Sequence, residues 1–136
     1  MNATKLFYPG ANASVMLNKL KQDVPALDSK PSVIYLMSGT NNVDSIYYGS
    51  RSLEGAIDDL VELIRYLQIT FPGVDINVIN ILPRATRGKN DVVVELNKLL
   101  KNFCSNNLVN FMETQHLFNT KLGKRKNQYF ITPSDK

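Results

Sequence analysis

The chain has 136 residues, 43% hydrophobic and 21% charged, ordinary values for a single globular domain with a core of its own. Its formal net charge of +4 is mildly basic, and its single cysteine excludes a disulfide framework or a cysteine-based metal site. No apolar run approaches bilayer-spanning length and the first residues lack the apolar core of a signal peptide, so an intracellular, cytoplasmic protein is expected.

Strand and helix signals alternate along the chain. Lys5–Tyr8 reads as a short strand closed by Pro9 and Gly10. Ala13, Met16, Leu17, Leu20 and Val24 recur at helical spacing, and Pro25 and Pro31 bracket a loop. Val33–Met37 is short, fully apolar and rich in β-branched and aromatic side chains, the pattern of a buried parallel strand. It breaks into Ser38, Gly39, Thr40 and Asn41, read as a turn leading into a polar loop that holds Tyr47 and Tyr48. Ser52 is an N-cap candidate for the clearest helix, in which Leu53, Ile57, Leu60, Ile64 and Leu67 form one stripe before Pro72 and Gly73 stop it.

Asp75–Leu82 reads as the third strand, ending in Pro83 and Arg84. A helix follows from about Asp91 to Cys104, then a short strand over Leu108–Phe111 and a last extended piece over Tyr129–Ile131. There are no repeats and no linker, so residues 1–136 form one domain. The alternation predicts an α/β fold, a parallel sheet covered by helices.

In open α/β sheets ligands bind outside the carboxyl ends of the strands. The side-chain amide of Asn41 stands at such an end, where a fixed donor can stabilise an oxyanion. Thr40 is read as a turn residue, and Arg84 as either a solvated loop cation or a group that holds a carboxylate or phosphate. Tyr47 and Tyr48 form a pocket wall or pack over the sheet edge. Ser38 and Ser14 lie outside any nucleophile signature. His116, the single histidine, is read as a surface or partly packed side chain, and Cys104 as a buried structural thiol. Lys121, Lys124, Arg125 and Lys126 put four cations in six positions, a solvated run or an electrostatic contact for nucleic acid. No spacing suggests a metal or an organic cofactor.

Taken in order, these segments resemble the SGNH hydrolases, the GDSL-type esterase/lipase superfamily, and most of all the esterase-like domains of retroelements and viruses. Phe7–Ala11 is similar to the block whose Gly gives a backbone N–H to the oxyanion hole, which falls on Gly10. Gly39, Thr40 and Asn41 are similar to the block whose Asn gives a second donor. Ile81–Arg84, Glu95–Leu100 and Val109–Phe111 follow in the family's order. The resemblance implies a flavodoxin-like three-layer α/β/α fold and carboxylic-ester hydrolysis by acyl transfer through Ser, with a small ester as substrate and no cofactor. It makes Gly10 and Asn41 the oxyanion donors; Thr40 and Arg84, at the ends of the second and third strands, are expected on the substrate side.

The departures are specific. The sequence has no Gly-Asp-Ser, the family's nucleophile turn, and no Asp-x-x-His, its base segment. Asp135 falls about where that Asp would stand, and Asn42 where close relatives often have Asp. The strand that carries Gly-Asp-Ser lies centrally in the family. Its absence predicts either a gap between the first two strands or their direct pairing, and lower stability than a full family member. Two readings follow: an esterase domain incomplete at both ends, whose nucleophile and base lie outside residues 1–136 and which is inactive alone, or a non-catalytic module that keeps the fold to bind a protein or nucleic acid. A nucleotide-binding or receiver-like domain is a third class, but no Gly-x-Gly-x-x-Gly, P-loop or acidic cluster at a strand end supports it.

Overall fold

The computed structural model describes residues 3–113 and 128–133. In chain order they form β1 (Ala3–Phe7), α1 (Ala13–Asp23), a single 3-10 turn (Val24–Ala26), β2 (Val33–Met37), α2 (Thr40–Tyr47), α3 (Leu53–Thr70), β3 (Asp75–Ile79), α4 (Arg87–Asn106), β4 (Asn110–Met112) and β5 (Gln128–Thr132). The protein is α/β, with a five-stranded, all-parallel sheet and, among the described residues, four α-helices.

The strand order is β1-β5-β2-β3-β4. The position between β1 and β2 is therefore neither a gap nor closed by direct pairing, and that expectation is corrected. The last described strand occupies it, with Lys5 opposite Phe130 and Phe130 opposite Tyr35. The Phe130 and Tyr35 rings stack at 5.0 Å and 12°. Backbone pairing on both edges of β5 removes the two open edges that a gap would leave.

The apolar stripes set the core. Met16, Leu20, Leu60, Leu63, Ile64, Leu67, Leu96 and Leu100 are all 0–1% exposed and join Ile34, Leu36, Ile76, Val78, Tyr129 and Ile131 of the sheet in one cluster. All four helices contribute to it, as right-handed crossovers running one way along a sheet require. The opposite sheet face forms a smaller cluster of strand side chains: Val33, Tyr35 and Ile79, with Met37, Met112 and Phe130 against them. β2 is thus buried on both faces, which explains its unbroken apolar run.

Three boundaries differ most from expectation. The polar segment after Gly39 is the helix α2, not a loop. β3 stops at Ile79 because the backbone of Ile81 leaves the ladder. Its N–H donates to Asn97 Oδ1 at 2.8 Å, and its carbonyl accepts from Asn97 Nδ2 at 2.9 Å. α4 starts at Arg87, ahead of the first apolar position of its stripe. Ser52 caps α3 as expected, its Oγ accepting the Gly55 N–H at 3.0 Å.

Candidate site at the carboxyl end of the sheet

Three connections meet at the carboxyl ends of the strands: Tyr8–Asn12 after β1, Ser38–Gly39 after β2 and Asn80–Thr86 after β3. Gly10 has φ +71°, the left-handed region that favours glycine, and allows the tight turn into α1. Asn12 caps that helix, its Oδ1 accepting the Val15 N–H at 2.9 Å. Gly39 has φ +119° and packs so closely that a Cβ there would lie 2.6 Å from Ile81 Cδ1. That glycine lets β2 turn directly into α2.

The first turn of α2 grips the loop after β1. Asn41 Nδ2 donates to the Ala11 carbonyl at 3.1 Å, and Asn42 Oδ1 accepts the Ala13 N–H at 2.9 Å. Asn42 is 2% exposed, so the second bond satisfies a buried N–H at the start of α1. A primary amide has two donors. Asn41 uses one on Ala11, next to Gly10 in the chain, and no acceptor for the second is found among the described residues. Ser38 is buried, and its Oγ has no hydrogen-bond partner among the described residues.

Arg84 is not a solvated loop cation. Its Nη1 donates to the Thr40 carbonyl at 3.1 Å and its Nη2 to Asp44 Oδ1 at 2.9 Å. Lys89 Nζ lies 3.0 Å from the same Asp44 oxygen. Burial pushes the Asp44 carboxyl pKa up, but the hydrogen bonds and charges of Lys89 and Arg84 outweigh it and hold the group below the usual carboxylate range. The Lys89 ammonium is raised, first by Asp44 and then by a hydrogen bond with Tyr48. Tyr47 and Tyr48 lie beside the first turn of α4. Tyr47 lies against Gly88 in the first turn of α4, and Lys89 sits over both rings.

Gly10, Thr40, Asn41 and Arg84 therefore belong to one set of connections at one end of the sheet. Asp135, His116, Lys121, Lys124, Arg125 and Lys126 lie outside the described residues. Asp44 and Lys89 carry no local signal in the sequence, and Asn42 stands out there only as a departure from the family's Asp. The roles of all three depend on α2 being a helix. With Thr40–Tyr47 helical, Thr40 and Asp44 fall one turn apart on the same side, where Arg84 reaches both. An apolar cavity of about 230 Å³ opens on the opposite sheet face, lined by Lys5, Tyr35, Met37, Ile79, Phe130, Ile131 and Thr132, and none of the four site residues lines it. Cys104 is buried in α4, where burial pushes its thiol up to about 11. Among the described residues no group of His, Cys, Asp or Glu is placed to hold a metal, and no helix is long and apolar enough to cross a membrane. No protein-family model matches the chain, and no curated protein matches it.

Proposed function

We propose that this chain is an SGNH-hydrolase-like domain related to carboxylic-ester hydrolases, with the Gly10 N–H and the Asn41 amide as oxyanion donors. Thr40 and Arg84 flank the substrate side. The observation that supports this best is the 3.1 Å bond from Asn41 Nδ2 to the Ala11 carbonyl. Across 30 residues of sequence it fixes a primary amide beside the left-handed Gly10 turn, at the end of a parallel sheet where ligands bind. A preorganised donor of this kind contributes about 10²–10³ in rate when a nucleophile stands beside it.

The sequence has no Gly-Asp-Ser and no Asp-x-x-His, so these residues are expected to bind a tetrahedral anion without turning esters over. Reaction with a fluorescent fluorophosphonate, alongside p-nitrophenyl acetate turnover, tests this. The expected result is no single-serine label and turnover at the buffer rate. A label at one serine, with turnover lost in Asn41→Ala, keeps the donor assignment and adds a nucleophile. Turnover that survives Asn41→Ala removes Asn41 from the role.

A further inference from the structure

We propose that the surface formed by α2 and the first turn of α4 binds single-stranded nucleic acid, with Tyr48 as a stacking platform and Arg84, Arg87 and Lys89 supplying positive charge to the phosphates. Tyr47 and Tyr48 are consecutive, 43% and 71% exposed, and meet edge to face at 5.0 Å and 81°. They are held in place by the chain around them. The Tyr47 ring lies where a Cβ on Gly88 would stand, 2.6 Å from its Cε1. Glycine is disfavoured inside a helix, and here it makes room for that ring.

The Lys89 ammonium sits 4.9 Å from the centre of the Tyr48 ring and 5.6 Å from that of Tyr47. Such a cation–aromatic pair orders both partners. Arg84 is a quarter exposed and Arg87 is exposed. Asp44 gives one oxygen to both Arg84 and Lys89, so a single carboxylate is shared between two of the three cations. Arg84 uses two of its five N–H donors in the bonds described above. An aromatic face beside clustered cations is the combination that holds a base by stacking and its neighbouring phosphates by charge. A base within a duplex is already stacked and cannot present its face, so the surface favours single strands.

Fluorescence anisotropy with a fluorescein-labelled 12-mer oligothymidylate, and a duplex of equal length, tests this on the full chain. The single strand is expected to bind more tightly than the duplex. Tyr48→Ala, at an exposed position, is expected to weaken binding by about fivefold or more. Arg87→Glu is expected to weaken it and to lower the slope of log K against log salt by about 0.7 for each phosphate that is no longer neutralised. Lys19→Glu makes the same charge change on the exposed side of α1 and is expected to stay within about twofold of wild type. Thermal melts of each variant confirm that the fold is kept.

No binding by the wild type overturns the proposal, as does an unaffected Tyr48→Ala. Equal weakening in Arg87→Glu and Lys19→Glu overturns it in favour of general attraction to a basic protein. Weakening on changing Lys121, Lys124, Arg125 and Lys126 to Gln, with Tyr48→Ala unaffected, assigns the binding to that run instead.

Discussion

The Oδ1 atom of Asn42 accepts the backbone N–H of Ala13 at 2.9 Å, joining two residues 29 apart in the chain. The bond is buried, and it ties the first turn of α2 to the first turn of α1, close to where Asn41 holds Ala11. Asn42→Ala leaves the Ala13 N–H without a partner in the interior, at a cost of about 1–3 kcal/mol. Asn12→Ala removes the other cap of α1 at a more exposed position, where water replaces the side chain, and costs about 1 kcal/mol. Urea denaturation of both variants is expected to show the larger destabilisation for Asn42→Ala. The reverse order would show that the inter-loop bond contributes little.

Gly39 and Gly73 both have positive φ, +119° and +80°, but only Gly39 of the two is crowded. A Cβ at Gly73 meets nothing within 4 Å. Gly73→Ala is expected to cost about 1–2 kcal/mol, from the backbone conformation alone. Gly39→Ala adds a collision with Ile81 Cδ1, and overpacking of this kind adds about 1–3 kcal/mol. The difference between the two variants therefore reports chiefly the steric contribution, which paired urea midpoints measure. Equal midpoints would contradict the close approach of Gly39 and Ile81.

Asp44 makes stability depend on pH. Its folded pKa is depressed by Lys89 and Arg84, so its contribution is full above the unfolded carboxylate value near about 4 and is lost as pH falls through the folded value. At 34% side-chain exposure the pair is partly screened by solvent and salt. Wild type is expected to be more stable than Asp44→Asn at pH 6, and the gap is expected to close as the pH drops below about 4. A gap of the same size at pH 6 and about pH 3 would show that the carboxylate is not held by those two cations.

Cys104 is 1% exposed, and burial raises its thiol to about 11. At pH 8 roughly one thiol in a thousand is ionised, so a disulfide reagent is expected to react with the folded chain only as it opens. The rate should rise steeply across the urea transition. Fast reaction in buffer would place the thiol at the surface.

The helices and strands that carry long apolar patterns were legible in the sequence. The stripe through Leu60, Ile64 and Leu67, the apolar run of Val33–Met37 and the Ser52 cap all depend on neighbours within a few residues. α2 was not legible, because Thr40, Asn41, Asn42 and Asp44 have little intrinsic preference for helix. Their helix is held by Ala11, Ala13 and Arg84, contacts 29 to 44 residues away. The place of β5 was hidden for a similar reason. Gln128–Thr132 pairs with strands about 95 and 125 positions earlier, and no local pattern encodes which gap in a sheet a distant strand fills. Gly10 and Asn41 were readable as residues, but the bond from Asn41 to Ala11, beside Gly10, was not.

The central claim, that Gly10 and Asn41 form an oxyanion half-site, is tested most directly by titrating the ¹⁵N-labelled chain with methylphosphonate, a tetrahedral anion, and following amide resonances. The account predicts saturable shifts of the Gly10 N–H and the Asn41 side-chain amide, with the Gly10 shift abolished in Asn41→Ala while the fold is retained. Saturable shifts confined to other residues, or none at Gly10 and Asn41 up to millimolar ligand, would contradict it.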